Sequence, residues 1–354
     1  MNTDLVDYGL SNFEREQLAA DETEAELARV TEIQRSNLKV VTDCGERRLE
    51  WSAKLQQTAL VDRPTVGDWV LLNEDRSDIA RVLERRSLFK RAAAGRGDEI
   101  QPIAANVDTV LIVSSCNEEF KESRLERYLA LCREANSEPM VVLTKADLCA
   151  EPDSYRRRAE SVQGGIAVEV VDARDAEQLD SIRGKLAPRS TAALVGSSGV
   201  GKSTLLNALA GSELATTQGI REGDKKGRHT TTHRSLYRVP GDLLIIDVPG
   251  MRELRVAEAD AALLNIFDDI EELARRCRFS DCAHEAEPGC AVKKAILDGQ
   301  LDERRLASYR KLQLENAEAS ATIAERRTAE KGLARRVEGA KRWKQRRRDR
   351  DWAE

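Results

Sequence analysis

The sequence predicts an α/β domain built on a parallel sheet, set between a small β-barrel and a charged, helical C-terminal region. Three observations carry this prediction. From about residue 99 onward, apolar runs of strand length alternate with helical patterns: VDTVLIVSS, RLERYLALCREAN, PMVVLTKAD, IAVEVVDA, TAALVG, KSTLLNALAG and DLLIIDVPG. Ahead of them, LKVVTDCG, RLEWSAKL, VGDWVLL and IARVLERRSLF are short alternating segments parted by turn residues, as in a small barrel. Behind them the chain becomes helical and charged, with three of its seven cysteines gathered in one stretch.

Taken in order, residues 1–34, which contain DETEAEL, read as a flexible acidic lead-in with little core-forming material. Residues 35–98 are expected to form the barrel, 99–262 the α/β domain, 263–325 a helical domain around the cysteines, and 326–354 a basic tail. A chain of 354 residues exceeds what one hydrophobic core usually serves, which agrees with this division. Charged residues make up 34% and aromatics 4%, favouring broad polar surfaces. The formal charge of −5 hides an asymmetry between an acidic start and a tail that ends in RWKQRRRDRDW.

No run approaches the roughly eighteen apolar residues of a membrane span, and MNTDLVDYGL lacks the basic and apolar regions of a secretory signal. A cytoplasmic protein with no membrane partner is expected. Cys44, Cys116, Cys132 and Cys149 are scattered and read as ordinary reduced thiols.

Chemistry concentrates in three places. Gly196, Ser197, Ser198, Gly199, Val200, Gly201, Lys202 and Ser203, followed by Thr204, match G-x-x-x-x-G-K-[ST] between an expected strand and an expected helix. Glycines let the backbone curl so that its N–H groups face phosphate oxygens, and the helix start adds positive potential. Lys202 is expected to reach the β- and γ-phosphates and the Ser203 hydroxyl to hold Mg²⁺. Asp247 closes the apolar run LLII, where a carboxylate can join the Mg²⁺ shell, and Gly250 can present its N–H to the γ-phosphate.

Thr144, Lys145, Ala146 and Asp147 close another strand in the pattern N/T-K-x-D. Guanine displays adjacent N–H donors that adenine lacks, so one carboxylate, Asp147, can select GTP over ATP. A solvated Lys and Asp at a strand end would present the same letters. Here the base reader precedes the phosphate loop, the reverse of the usual order, and in this the sequence resembles the circularly permuted GTPases. A parallel sheet tolerates the rearrangement because the ligand is bound by loops at strand ends, whatever their order in the chain.

Cys277, Cys282, His284 and Cys290 form C-x4-C-x-H-x5-C, four soft or borderline ligands within fourteen residues, enough to close a tetrahedral structural Zn²⁺ site. The barrel, TKAD, GSSGVGKST, GRHTTTH, DVPG and this cluster, in that order, resemble the ribosome small subunit-dependent GTPase A family over roughly residues 35–300.

The resemblance implies an OB-fold, a circularly permuted P-loop GTPase domain and a zinc-binding helical domain. It implies a monomeric enzyme that binds the small ribosomal subunit and its rRNA, assists late maturation, and hydrolyses GTP to GDP and phosphate when the subunit stimulates it. A GTP-regulated RNA-binding module with little hydrolytic role is the alternative. Within GRHTTTH, Thr231 is the expected Mg²⁺ ligand, with Thr230 and Thr232 equally placed by the letters. Met251 follows Gly250 where many GTPases carry a water-orienting Gln, so slow intrinsic hydrolysis is expected, with His229 either orienting the water or facing solvent.

Overall fold

A computed structural model describes residues 3–92, 100–214, 234–247, 266–285 and 287–314. The barrel is a five-stranded antiparallel unit: β1 (Leu27–Ile33), β2 (Asn37–Thr42), β3 (Gly45–Glu50), β4 (Trp69–Leu72) and β5 (Ile79–Val82). β1 pairs with both β2 and β4, β2 with β3, and β4 with β5. This is the pairing of a partly open OB barrel. Alternation fills its interior with Ala28, Val30, Leu38, Val40, Leu49, Val70, Leu72 and Ile79, and the short helix α2 (Ala53–Gln57) contributes Leu55.

One expectation is corrected here. Within the segment read as a flexible lead-in, residues 3–33 are folded: a short helix, α1 (Asn12–Arg15), is capped reciprocally by Ser11 and Glu14, and β1 is the central strand of the barrel. Leu5 and Leu10 pack with Leu27, Val41, Trp69 and Leu71 in a second small core. The acidic DETEAE masks the strand that begins one residue later.

A hairpin of β6 (Leu88–Ala92) and β7 (Ile100–Ala105) leads into the nucleotide-type sheet. There β8 (Thr109–Ser115), β9 (Glu138–Thr144), β10 (Ala167–Val170), β11 (Thr191–Val195) and β13 (Leu243–Asp247) run parallel, in the order β10-β9-β8-β11-β13. β12 (Arg234–Val239) lies antiparallel to β13 and pairs with β1 through Glu32↔Ser235 and Ile33↔Arg234. The hydrogen-bonded ladder therefore runs without a break from the parallel strands into the barrel.

Side chains alternate across this sheet into two cores, as strand geometry requires. Val110, Ile112, Val141, Leu143 and Ile246 face α3 (Glu122–Glu134) and α4 (Pro152–Glu160); Leu111, Val113, Val142, Leu194 and Ile245 face α5 (Ala176–Lys185) and α6 (Lys202–Ala210). The C-terminal elements, α7 (Asp268–Ala274), α8 (Ala291–Leu297) and helical residues 303–314, join the first core through Phe267, Ile270, Val292, Leu306 and Tyr309. Arg304 reaches the fully buried Glu126 of α3 at 3.2 Å, and Arg305 holds Asp269 at 2.7 Å. Among the described residues, no helix is long and apolar enough to cross a membrane.

Candidate nucleotide-binding site

In an open parallel sheet, the crevice lies at the carboxyl ends of the strands where the order reverses. Here the chain moves one way from β8 into β9 and β10 and returns to the other side with β11, so the reversal falls between β8 and β11. The phosphate loop leaves the end of β11, Thr144 ends β9, and Asp247 ends β13. All three sequence-predicted segments thus emerge on one edge.

The loop's curl has identifiable causes. Gly196 sits at φ +146°, and a Cβ there would lie 2.2 Å from the Val113 carbonyl oxygen of the neighbouring strand, so only glycine fits. Gly199 and Gly201 also have positive φ, and α6 begins at Lys202 directly after the latter. Buried Val200 anchors the loop in the core, while Ser203 and Thr204 lie in the first helical turn, partly exposed. Lys202 Nζ donates to the Gly196 carbonyl at 2.8 Å and also contacts the Ser197 carbonyl.

The TKAD segment, residues 144–147, touches this loop directly. The Thr144 hydroxyl lies 2.5 Å from the Val200 carbonyl oxygen and 3.0 Å from that of Ser114, its single proton shared between them. Thr144 is buried, and its Oγ1 stands 3.1 Å from where a Cβ on Gly201 would lie. Beyond it, Lys145 takes the left-handed conformation at φ 58°, and Ala146 and Asp147 form one 3₁₀ turn that turns the chain away from the sheet. The Ala146 N–H faces the Val171 carbonyl at the end of the β10 segment. Asp147 is exposed, and its Oδ2 accepts from Arg174 at 2.5 Å.

Sequence reasoning missed this loop, Asp172–Arg174. Its signal was available: in a parallel sheet, the segment leaving IAVEVV must emerge beside the one leaving PMVVLT. His229, Thr230, Thr231, Thr232, Gly250 and Met251 lie outside the described residues.

Between α7 and α8, Cys277, Cys282, His284 and Cys290 bring their ligand atoms within 4.8 Å of one another and could hold a metal ion. The turn is set by His284 at φ 60° and Gly289 at φ 80°. Cys290 caps α8, its sulfur accepting from Lys293 N–H at 3.4 Å. Burial, then the nearby Arg310 cation, lowers the His284 imidazole below its ordinary range and favours the neutral form a ligand needs.

A TKAD segment that precedes the glycine-rich loop in the chain, with both brought to one sheet edge, is the arrangement of a circularly permuted GTPase. The same fold is found in the solved structure of YloQ, titled a circularly permuted GTPase, with a TM-score of 0.59 and 23% identity over 85% of this chain and 98% of that one. YjeQ from Thermotoga maritima is similar at TM-score 0.59 and 25% identity, over 82% of this chain and 98% of that one.

Residues 82–257 match the model of the RsgA GTPase family. A relative from Vibrio parahaemolyticus, named small ribosomal subunit biogenesis GTPase RsgA 2, is 45% identical over 91% of this chain and 88% of its own. Another, from Mesorhizobium japonicum, named small ribosomal subunit biogenesis GTPase RsgA, is 42% identical over 88% of this chain and 90% of its own. The chain belongs to the RsgA GTPase family, and GTP hydrolysis is its reaction.

Proposed function

We propose that the protein hydrolyses GTP while bound to the small ribosomal subunit and assists that subunit's late maturation; its relatives are named small ribosomal subunit biogenesis GTPases. The observation that supports the catalytic half is the Thr144–Val200 contact, which joins the TKAD segment to the glycine-rich loop. In this reading Lys145 lays its stem along the base and Asp147 accepts the guanine N–H donors. The N–H groups of residues 196–204 cradle the phosphates.

Lys202, now turned onto the loop's own carbonyls, transfers its ammonium to the β- and γ-phosphates as charge develops there. Ser203 and Asp247 would hold Mg²⁺, which neutralises phosphate charge when bound. A switch-loop threonine, Thr231 or its neighbours, would complete that shell, and Gly250 and His229 would address the γ-phosphate and the attacking water.

For the metal cluster we propose structural zinc. Tetrahedral Zn²⁺, with Zn–S near ~2.3 Å and Zn–N near ~2.0 Å, requires S–S edges of about 3.8 Å and S–N edges of about 3.5 Å. Cys277–Cys290 at 3.9 Å, Cys277–His284 at 3.6 Å and Cys290–His284 at 3.4 Å match one face of that donor polyhedron, and Cys282 lies within 4.8 Å of all three.

Contact with rRNA is supported by the barrel, where Arg47, Arg48, Trp51 and Arg76, beside Glu50 and Asp78, line one open depression, three cations and a ring suited to phosphates and a stacked base. A cytoplasmic monomer completes the proposal.

Multiple-turnover GTP hydrolysis with and without purified small subunits tests it. Subunits are expected to raise turnover at least about tenfold. Binding to subunits that responds to nucleotide without any rise in turnover would favour the GTP-regulated RNA module instead. Asp147→Asn should lower GTP affinity by about 100-fold or more and favour xanthosine triphosphate, whose base offers an acceptor where guanine offers an amino group.

A further inference from the structure

The loop after β10 plays no part in the catalytic reading, yet it bears on the carboxylate at the centre of that reading. Arg174 Nη2 lies 2.5 Å from Asp147 Oδ2. On its other side, Arg174 Nε lies 3.0 Å from Asp172 Oδ1 and Nη2 lies 3.2 Å from Asp172 Oδ2, while the Arg174 backbone N–H also donates to Asp172 Oδ1 at 3.0 Å. Asp172 is itself fixed to α5, its N–H donating to Gln178 Oε1 at 2.9 Å. One guanidinium thus bridges two carboxylates: Asp172 orients it through Nε and Nη2, and Asp147 Oδ2 accepts from Nη2 alone. Arg174 is two-thirds exposed, so the arrangement is not a packing necessity of the core.

A guanidinium and the Watson–Crick edge of guanine offer a carboxylate the same thing, a planar array of neighbouring N–H donors. The two cannot occupy the same carboxylate face together. Accepting the proposal that Asp147 reads guanine, we propose that Arg174 is an internal competitor for Asp147, a specificity-setting residue that the guanine edge must displace and that Asp172 retains beside the pocket.

Two consequences follow from chemistry. An adenine edge lacks the paired donors, so it cannot displace the guanidinium and gains nothing from its removal. Guanine nucleotide affinity is multiplied by the fraction of time Asp147 is free of Arg174. For a solvent-exposed ion pair the loss is about two- to sixfold, and added salt should reduce that loss.

The test is a stopped-flow titration of the full chain with fluorescent GDP, supported by competition with GTP and ADP. Arg174→Ala and Arg174→Gln are expected to bind GDP and GTP about two- to sixfold more tightly, mainly through faster association, with ADP unchanged and the gain shrinking as ionic strength rises. Matching melting curves would show that the variants are folded. Asp147→Asn is measured in parallel with xanthosine diphosphate.

If that variant switches base preference while Arg174→Ala leaves GDP binding unchanged or weaker, the competitor role is wrong and the base reading stands. If Asp147→Asn keeps its preference for GDP, the base reading fails and takes the competitor role with it.

Discussion

Thr144 shows how much one side chain decides. Many GTPases carry Asn at this position of the motif, and the letters alone left its polar contact open; the structure gives it to a hydroxyl lodged between the Val200 and Ser114 carbonyls. Thr144→Val keeps the shape and removes the proton, leaving two buried acceptors poorly satisfied. The expected cost is about 1–3 kcal/mol of stability, read as a lower denaturation midpoint with an unchanged denaturant slope, together with weaker GDP binding. Lys202→Ala should lower kcat by about 10²–10³-fold with little change in stability, since the ammonium acts mainly on developing phosphate charge. The positions of Thr144, Asp147 and the glycine loop were legible because each motif ends an apolar strand. Arg174 was not, because a lone Arg in a charged loop has no pattern, and its meaning comes only from the strand beside it.

At the scale of elements, the parallel strands were readable for a simple reason: buried on both faces, they are short continuous apolar runs. β12, RSLYRV, escaped because two arginines interrupt it, and α4, PDSYRRRAE, because it buries only Ala159. β1 escaped because Arg29, Thr31 and Glu32 break the run LARVTEI, although Arg29 is fully buried.

The metal cluster was legible from spacing alone, since four ligands in one short stretch need no tertiary information. Cys282→Ser removes one of four ligands, and metal content measured by mass spectrometry is expected to fall from about one ion per chain toward zero. Chelation of the unmodified protein should lower its melting temperature, because α7 and α8 are joined through that turn. A melting temperature indifferent to chelation would mean that the cysteines pack without an ion.

Across the whole molecule, the sequence suggested separate units, and the structure joins them. Arg29 of β1 lies over the Trp69 ring and donates to the Thr191 hydroxyl at 2.7 Å, to the Asn106 and Gly67 carbonyls at 3.4 Å, and to the Tyr8 carbonyl. It therefore reaches the N-terminal segment, the barrel and the foot of the strand that carries the phosphate loop. Burial lowers its pKa to about 10, still far above neutrality, so the group stays charged. Arg29→Met fills the volume but removes a donor from four acceptors, of which the Gly67 carbonyl keeps Asn106 Nδ2, and a loss of about 2–4 kcal/mol in chemical denaturation is expected.

The seam between barrel and nucleotide-type sheet is made of main-chain ladder bonds, at β1 and β12, and one enclosed cation. Bending or sliding such a joint would break ladder bonds and expose the cation. The angle between the arginine-lined face of the barrel and the mouth of the pocket is thus fixed when the chain folds, like the jaws of a caliper cast in one piece, and a partner that meets both must already have the matching contour.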